Sequence, residues 1–297
     1  MIRLTHILIT AFLLFSSPAQ AWNAAGHRIV AAIAWQQLDP DTRSWLNQAL
    51  QQHPDADSWR KRAKSEDAEA LFYEAATWPD DIRNDPRYYD EGREGATPAI
   101  KGLIDQARHK DWHYVDLDPQ GKAVSGQLPR RLRELRQGLA SSTNPAYIRW
   151  ALPWLLHLVG DLHQPLHIGQ HGDEGGNAVE IENPYNPRQP FTNLHTYWDD
   201  LPGPPWLRGK RLEARVRGLL ERYPAPRPAP IDRWIEESHA LLRQAYPNTA
   251  GSLLLQIDEA FRQESQKISE RQLVAAGYRL GTLLNEITSR RVPRETP

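Results

Sequence analysis

The 297-residue chain contains no cysteine. Disulfides and thiolate metal sites are thereby excluded, which leaves His, Asp and Glu as the side chains able to ligate a transition metal. Net charge is also nearly absent, with 36 Lys and Arg against 37 Asp and Glu. No basic field draws in a polyanion, so any action on nucleic acid has to rest on local positive charge such as bound metal ions. Methionine occurs once, whereas tryptophan occurs eleven times; rings of that size fill irregular core or stack on flat ligands.

Long apolar runs are missing beyond the N-terminus, so no membrane anchor is expected. Residues 1–21, MIRLTHILITAFLLFSSPAQA, have a basic start at Arg3, a short apolar stretch from Ile7 to Phe15 and a small-x-small site at Ala19-Gln20-Ala21. This is the pattern of a secretory signal peptide. Its removal leaves residues 22–297 as one domain with a net charge of about −2, exported to a periplasm or outside the cell. It also makes Trp22 the new N-terminus, whose free α-amino group can ligate metal.

What remains reads as mainly α, because helical periodicity recurs and strand patterns are scarce. Helices are predicted from about Gly26 to Leu38, from Asp39-Pro40 to Gln52, and over Asp67–Ala76 and Leu128–Leu139. Asn144-Pro145 opens another helix, in which Pro153 predicts a kink or a late start. Three more cover about Arg211–Glu221, Ile231–Ala245 and Leu253–Thr288, before a frayed tail, SRRVPRETP. Residues 81–102 read as loop, Trp112–Leu117 as a short strand or extended connector, and Ala178–Glu182 as one strand of a short hairpin.

The helix after Asn144-Pro145 carries the most informative stretch. Leu155–His167, LLHLVGDLHQPLH, sets His157, Asp161, His163 and His167 within eleven positions of apolar sequence. His157 and Asp161 are four apart and share one helical face. Burying such groups is costly unless something pairs with them, and a metal suits imidazole and carboxylate alike. A single His–Asp pair is more often a hydrogen-bonded core pair. Here there are further candidates. His195 and Asp199 in NLHTYWDD repeat the spacing of four, His113 lies in DWHYVD, Asp80 in ATWPDDIR, and His27 five residues after Trp22 in WNAAGH. Together they point to a cluster holding more than one metal.

In these segments the sequence resembles the zinc-dependent, single-strand-preferring nucleases of the S1/P1 family. The likeness runs from Trp22 through the GDEGGN and NLHTYWD segments, while the helices after Pro205 match only in general character. It implies a trinuclear zinc cluster at the base of a cleft in one helical domain. One zinc would be held by Asp80, His113, His157 and Asp161. A second, close by, would be held by the Trp22 amino nitrogen and carbonyl oxygen, by His27 and by Asp161 as a bridge. The third would be held by His167, His195 and Asp199. The implied substrates are single-stranded DNA and RNA, cut to 5′-phosphate products, and nucleotides bearing a 3′-phosphate. Asp80 would orient the attacking water and Arg83 would stabilise charge on the phosphate. Tyr114 and Asp116 would bind the base, with Asn177 beside them. The resemblance implies no protein partner and a monomer.

The same residues have plainer readings: Arg83 at the surface, Tyr114 as core, Asp116 and Asn177 in turns. His163 is expected to pack or hydrogen-bond beside the ligands. His53, His109, His171 and His239 have no motif context and are expected to be surface or internally satisfied. The chain departs from many relatives in lacking cysteine and in having Tyr114 where Phe is common. Two alternatives share the metal ligands. Zinc phospholipase C, a more distant cousin, predicts an exposed apolar rim for a lipid headgroup substrate. A non-catalytic zinc-binding protein predicts closed coordination and no use for Arg83 or Tyr114.

Overall fold

Prolines at the first helical position set several boundaries. Pro40 opens a helix behind Asp39, and Pro145 opens one behind Asn144, whose side chain caps Ala146 N at 3.0 Å. Asp39 occupies the cap position without bonding the helix through its side chain. The computed structural model describes residues 22–118, 120–170, 172–248 and 254–291. The predicted signal peptide, His171 and residues 292–297 lie outside them.

Among the described residues the protein is mainly α. In chain order the N-terminal helices are α1 (Ala24–Gln36), α2 (Pro40–Gln51), α3 (Ala56–Ala63), α4 (Ala68–Ala75) and the short α5 (Trp78–Asp81). Strands β1 (Val115–Leu117) and β2 (Ala123–Gly126) precede α6 (Leu128–Ser141) and α7 (Pro145–Leu162). Then come β3 (Ile168–Gln170), β4 (Glu180–Glu182), β5 (Phe191–Asn193) and α8 (Leu194–Asp200). The C-terminal part holds α9 (Gly209–Arg222), α10 (Ile231–Leu241), β6 (Leu255–Gln256) and α11 (Glu259–Arg291).

Several expectations need correction. The short α3 and α8 were not predicted. Nor does α7 start late: it is one helix from Pro145, with Pro153 inside it and every residue from Trp150 to Leu162 buried. Packing on all sides outweighs the lost backbone bond. The expected hairpin exists as β4 against β5, but β6 adds to it in parallel to make three strands. A second three-stranded sheet, ordered β2-β1-β3, was not expected. The predicted C-terminal helix begins at Glu259 and runs to Arg291, so the first residues of the supposedly frayed tail are helical.

Helix α11 lies closely against α1. A Cβ on Gly277 would stand 2.4 Å from Ile33 Cβ, and one on Gly281 2.7 Å from Gln37 Cβ. These two glycines, one turn apart, form the notch that receives α1. The core between the helices is rich in fully buried tryptophan, including Trp22, Trp59, Trp78, Trp154 and Trp198.

Candidate metal centre

The helical turn does for α7 what the spacing predicts: His157 Nε2 lies 3.3 Å from Asp161 Oδ2, both fully buried. The segment just before β1 brings in His113, whose Nδ1 is 3.0 Å from the same oxygen and 3.1 Å from His157 Nε2. Helix α5 brings in Asp80, with Oδ1 at 3.7 Å from His157 Nε2. The other Asp161 oxygen, Oδ1, faces away toward α1 and stands 3.4 Å from His27 Nε2. A third group lies beyond the end of α7. His167 Nε2 and His195 Nε2 are 3.1 Å apart, and His195 Nε2 is 3.6 Å from Asp199 Oδ2 on α8. All these side chains are buried except Asp80, which is partly so.

The donor chemistry fits metal in all three groups. His157 Nδ1 donates to the Ala76 carbonyl at 2.9 Å, His195 Nδ1 to the Gly175 carbonyl at 2.7 Å, and His167 Nδ1 to the His113 carbonyl. A carbonyl only accepts, so each Nδ1 holds the proton and each neutral ring turns a bare Nε2 inward. Burial keeps the rings neutral: it lowers His27, His113 and His167 well below the ordinary imidazole range, and His157 to about 3. Two bare nitrogens facing each other at 3.1 Å, as in His167 and His195, repel unless a cation sits between them. Both ring nitrogens of His27 and Asp161 Oδ1 are likewise buried without hydrogen-bond partners. The carboxyls of Asp161 and Asp199 are pushed well above the usual range by burial, and Asp80 to about 6 despite Arg83. Cations held between them would neutralise these acids.

Each predicted site residue has a definite place. Trp22 is fully buried against Gly26, whose Cβ would lie 2.5 Å from that of Trp22, beside the turn that carries His27. Arg83 is buried and holds its Nε 3.0 Å from Asp80 Oδ1. That contact places it alongside the cluster, where its positive charge helps depress His27, His113, His157 and His167. Tyr114 is half-buried just before β1. Asp116 is buried on β1, where its Oδ2 accepts from Ser125 Oγ at 2.5 Å. The parallel pairing of β1 with β3 sets Asp116 against Gly169, and so against the Gly-rich turn that follows. Asn177 lies in that turn and donates Nδ2 to the Glu174 carbonyl at 2.7 Å.

His163 faces away from the metal groups, donating to the Val159 carbonyl and accepting from Arg279 at 2.9 Å. His53 and His109 are buried and stacked on Trp59 and Trp112, not on the surface. His239 is partly exposed. Reading by residue type passed over Gln164, whose Nε2 donates to Asp199 Oδ1 at 2.9 Å. Its position between His163 and His167 was the available signal. Gly160 was also missed: a Cβ there would lie 2.9 Å from His27 Nδ1.

The fold and site define the class, a helical protein with three buried His/Asp groups able to hold metal. The model of the S1/P1 nuclease family matches residues 22–289, so the chain belongs to that family and is a hydrolase of phosphodiester bonds. It is similar to Endonuclease 4 of Arabidopsis thaliana, 26% identical over 91% of this chain and 90% of that protein. Nuclease P1 of Penicillium citrinum is 24% identical over 90% of this chain and 97% of its own. Nuclease S1 of Aspergillus oryzae is 25% identical over 60% of this chain and 53% of its own. No helix of the described residues is long and apolar enough to cross a membrane.

Proposed function

We propose that the protein is an exported three-zinc nuclease that cuts single-stranded DNA and RNA to 5′-phosphate products and removes 3′-phosphates from nucleotides. The observation that carries the reading is Asp161, whose two oxygens face two different donor groups, Oδ2 toward His113 and His157 and Oδ1 toward His27. A carboxylate so placed would bridge a close pair of metals, and the His167, His195 and Asp199 group would hold a third. Trp22 would complete the His27 group through its amino nitrogen and carbonyl oxygen once residues 1–21 are removed; the family match beginning at residue 22 supports a mature chain that starts there. The chain works as a monomer without a protein partner.

Zinc in these groups would supply positive charge and lower the pKa of a coordinated water to about 7. Asp80, fixed on one side by Arg83, orients the attacking water toward phosphorus. The Arg83 guanidinium offsets the charge that develops on the phosphate or on the leaving oxygen. Tyr114 offers a ring face on which any base stacks, which suits sequence-tolerant cutting. Asp116 and Asn177 accept or donate at base edges.

The direct test incubates zinc-loaded mature protein with single-stranded RNA, single-stranded DNA and phosphatidylcholine, with and without a chelator, and identifies the products. Chelator-sensitive release of 5′-nucleotides is expected. Cleavage of the lipid alone would move the reading to a phospholipase, and zinc binding without turnover of any substrate would leave only a metal-binding protein.

A further inference from the structure

The Gly-rich turn after β3 governs His195. Its Gly175 carbonyl accepts the His195 ring Nδ1–H at 2.7 Å, and its Gly176 carbonyl accepts the His195 main-chain N–H at 3.3 Å. Three successive residues of this turn have left-handed backbone: Glu174 (φ 55°), Gly175 (φ 62°) and Gly176 (φ 83°). Glu174 is not a glycine, so the turn is held in a conformation that its residues do not all favour.

Asp173 holds it. Its main-chain carbonyl accepts from Gly176 N and Ala178 N, both at 3.1 Å, and its Oδ1 accepts from Gly176 N at 3.1 Å. Its Oδ2 is taken by a residue distant in sequence, Tyr246, whose hydroxyl donates to it at 2.5 Å. Tyr246 follows α10 and is anchored on the same helix as the ligands, since Trp198 Nε1 of α8 donates to the Ala245 carbonyl at 2.9 Å. Burial and then the neighbouring Asp173 push the Tyr246 phenol above its ordinary range, so it stays a donor at working pH.

We propose that Tyr246 is a positioning residue for the third metal group: through Asp173 its hydroxyl fixes the turn that aims His195 Nε2 at His167 and Asp199. This rests on the reading above that the group holds zinc. A buried imidazole ligand depends on the carbonyl that orients it, and that carbonyl depends here on the turn.

Tyr246→Phe keeps the ring and removes only the donor. Bound zinc is counted by elemental analysis during stepwise competition with a chelator, with His195→Ala marking which zinc belongs to the group. Tyr246→Phe is expected to release that one zinc at roughly tenfold lower chelator activity, the low end for partners of ligating histidines. The other two zincs should leave as in the wild type. Asp173→Ala should loosen the same zinc, and adding Tyr246→Phe to it should cost nothing more, because the two act in series. Unchanged release from Tyr246→Phe, parallel loosening of all three zincs, or additive effects of the two substitutions would each overturn the proposal. If the wild type holds the same metal content as His195→Ala, the underlying reading of the third group falls, and the proposal with it.

Discussion

Asp161 has the most demanding position in the molecule. It is fully buried, its carboxyl is pushed far upward by burial, and yet both oxygens face imidazole nitrogens. Such a group is tolerable only when cations neutralise it. Asp161→Asn keeps the shape and removes the charge, so it is expected to lose two of the three zincs and nearly all activity. Elemental analysis and a nuclease assay check this; full metal content with full activity would remove Asp161 from its bridging role. At the same scale, the fit of His27 depends on what is missing from Gly160, because a methyl group there would press on the imidazole.

At the scale of elements, two devices bring the ligand-bearing segments together. One is the glycine notch of α11 against α1, the helix that carries His27. Gly277→Ala drives a methyl group into Ile33 and is expected to cost about 1–3 kcal/mol of stability, read by denaturant titration. The other is the buried Glu74 of α4. It takes two hydrogen bonds from Arg28 of α1 at 2.7 and 2.9 Å, and two from Arg208 in the segment before α9 at 2.7 and 3.2 Å. Burial alone pushes the Glu74 carboxyl up, but the two arginines outweigh it and hold it below 4.5. An acid with a depressed folded pKa stabilises above its unfolded value, and the contribution is lost as pH falls through the folded one. Glu74→Gln should therefore cost about 3–5 kcal/mol at neutral pH, since it strands the buried Arg28. It should also flatten the loss of stability below pH 4.5, measured as melting temperature against pH.

For the whole molecule, metal held in the three groups would take the place of the covalent cross-links that a chain without cysteine cannot make. The three groups tie α1, α5, α7, α8 and the segment before β1 into one unit. Metal that binds only the folded state adds to its stability, so chelation is expected to lower the melting temperature. Stability itself has a sign in pH. His53 is buried and held at about 3, and His163 likewise, so the folded state refuses protons that the unfolded chain takes up below 6.5. These two histidines cost the fold nothing above 6.5 and impose a growing penalty as pH falls toward 3, in zinc-loaded and chelated protein alike. Burial already keeps the ligand imidazoles neutral, whereas the carboxyls of Asp80, Asp161 and Asp199, pushed upward by burial, must lose their protons to bind metal. The gap in melting temperature between zinc-loaded and chelated protein should thus widen as pH rises from about 5 to 8, read by calorimetry. A gap independent of pH would contradict ligation by these carboxylates.

Local chemistry was legible wherever a short-range rule governed it. The spacing of four in His157/Asp161 and His195/Asp199, the caps at Asp39 and Asn144, and the bounds of most helices within a few residues all follow from helical geometry and backbone satisfaction. The absence of cysteine by itself left His, Asp and Glu as the donors. What the chain order could not determine was which residues meet. Asp80, His113 and His27 join Asp161 only because α1, α5 and the segment before β1 pack on α7. The sheet β2-β1-β3 forms only because β1 finds a parallel partner 53 residues further along the chain, Val115 pairing with Ile168. Tyr246 reaches Asp173 across 73 positions. Those pairings are long-range, and they are decided by which buried faces and polar groups can be satisfied together in three dimensions, a condition that no local pattern encodes.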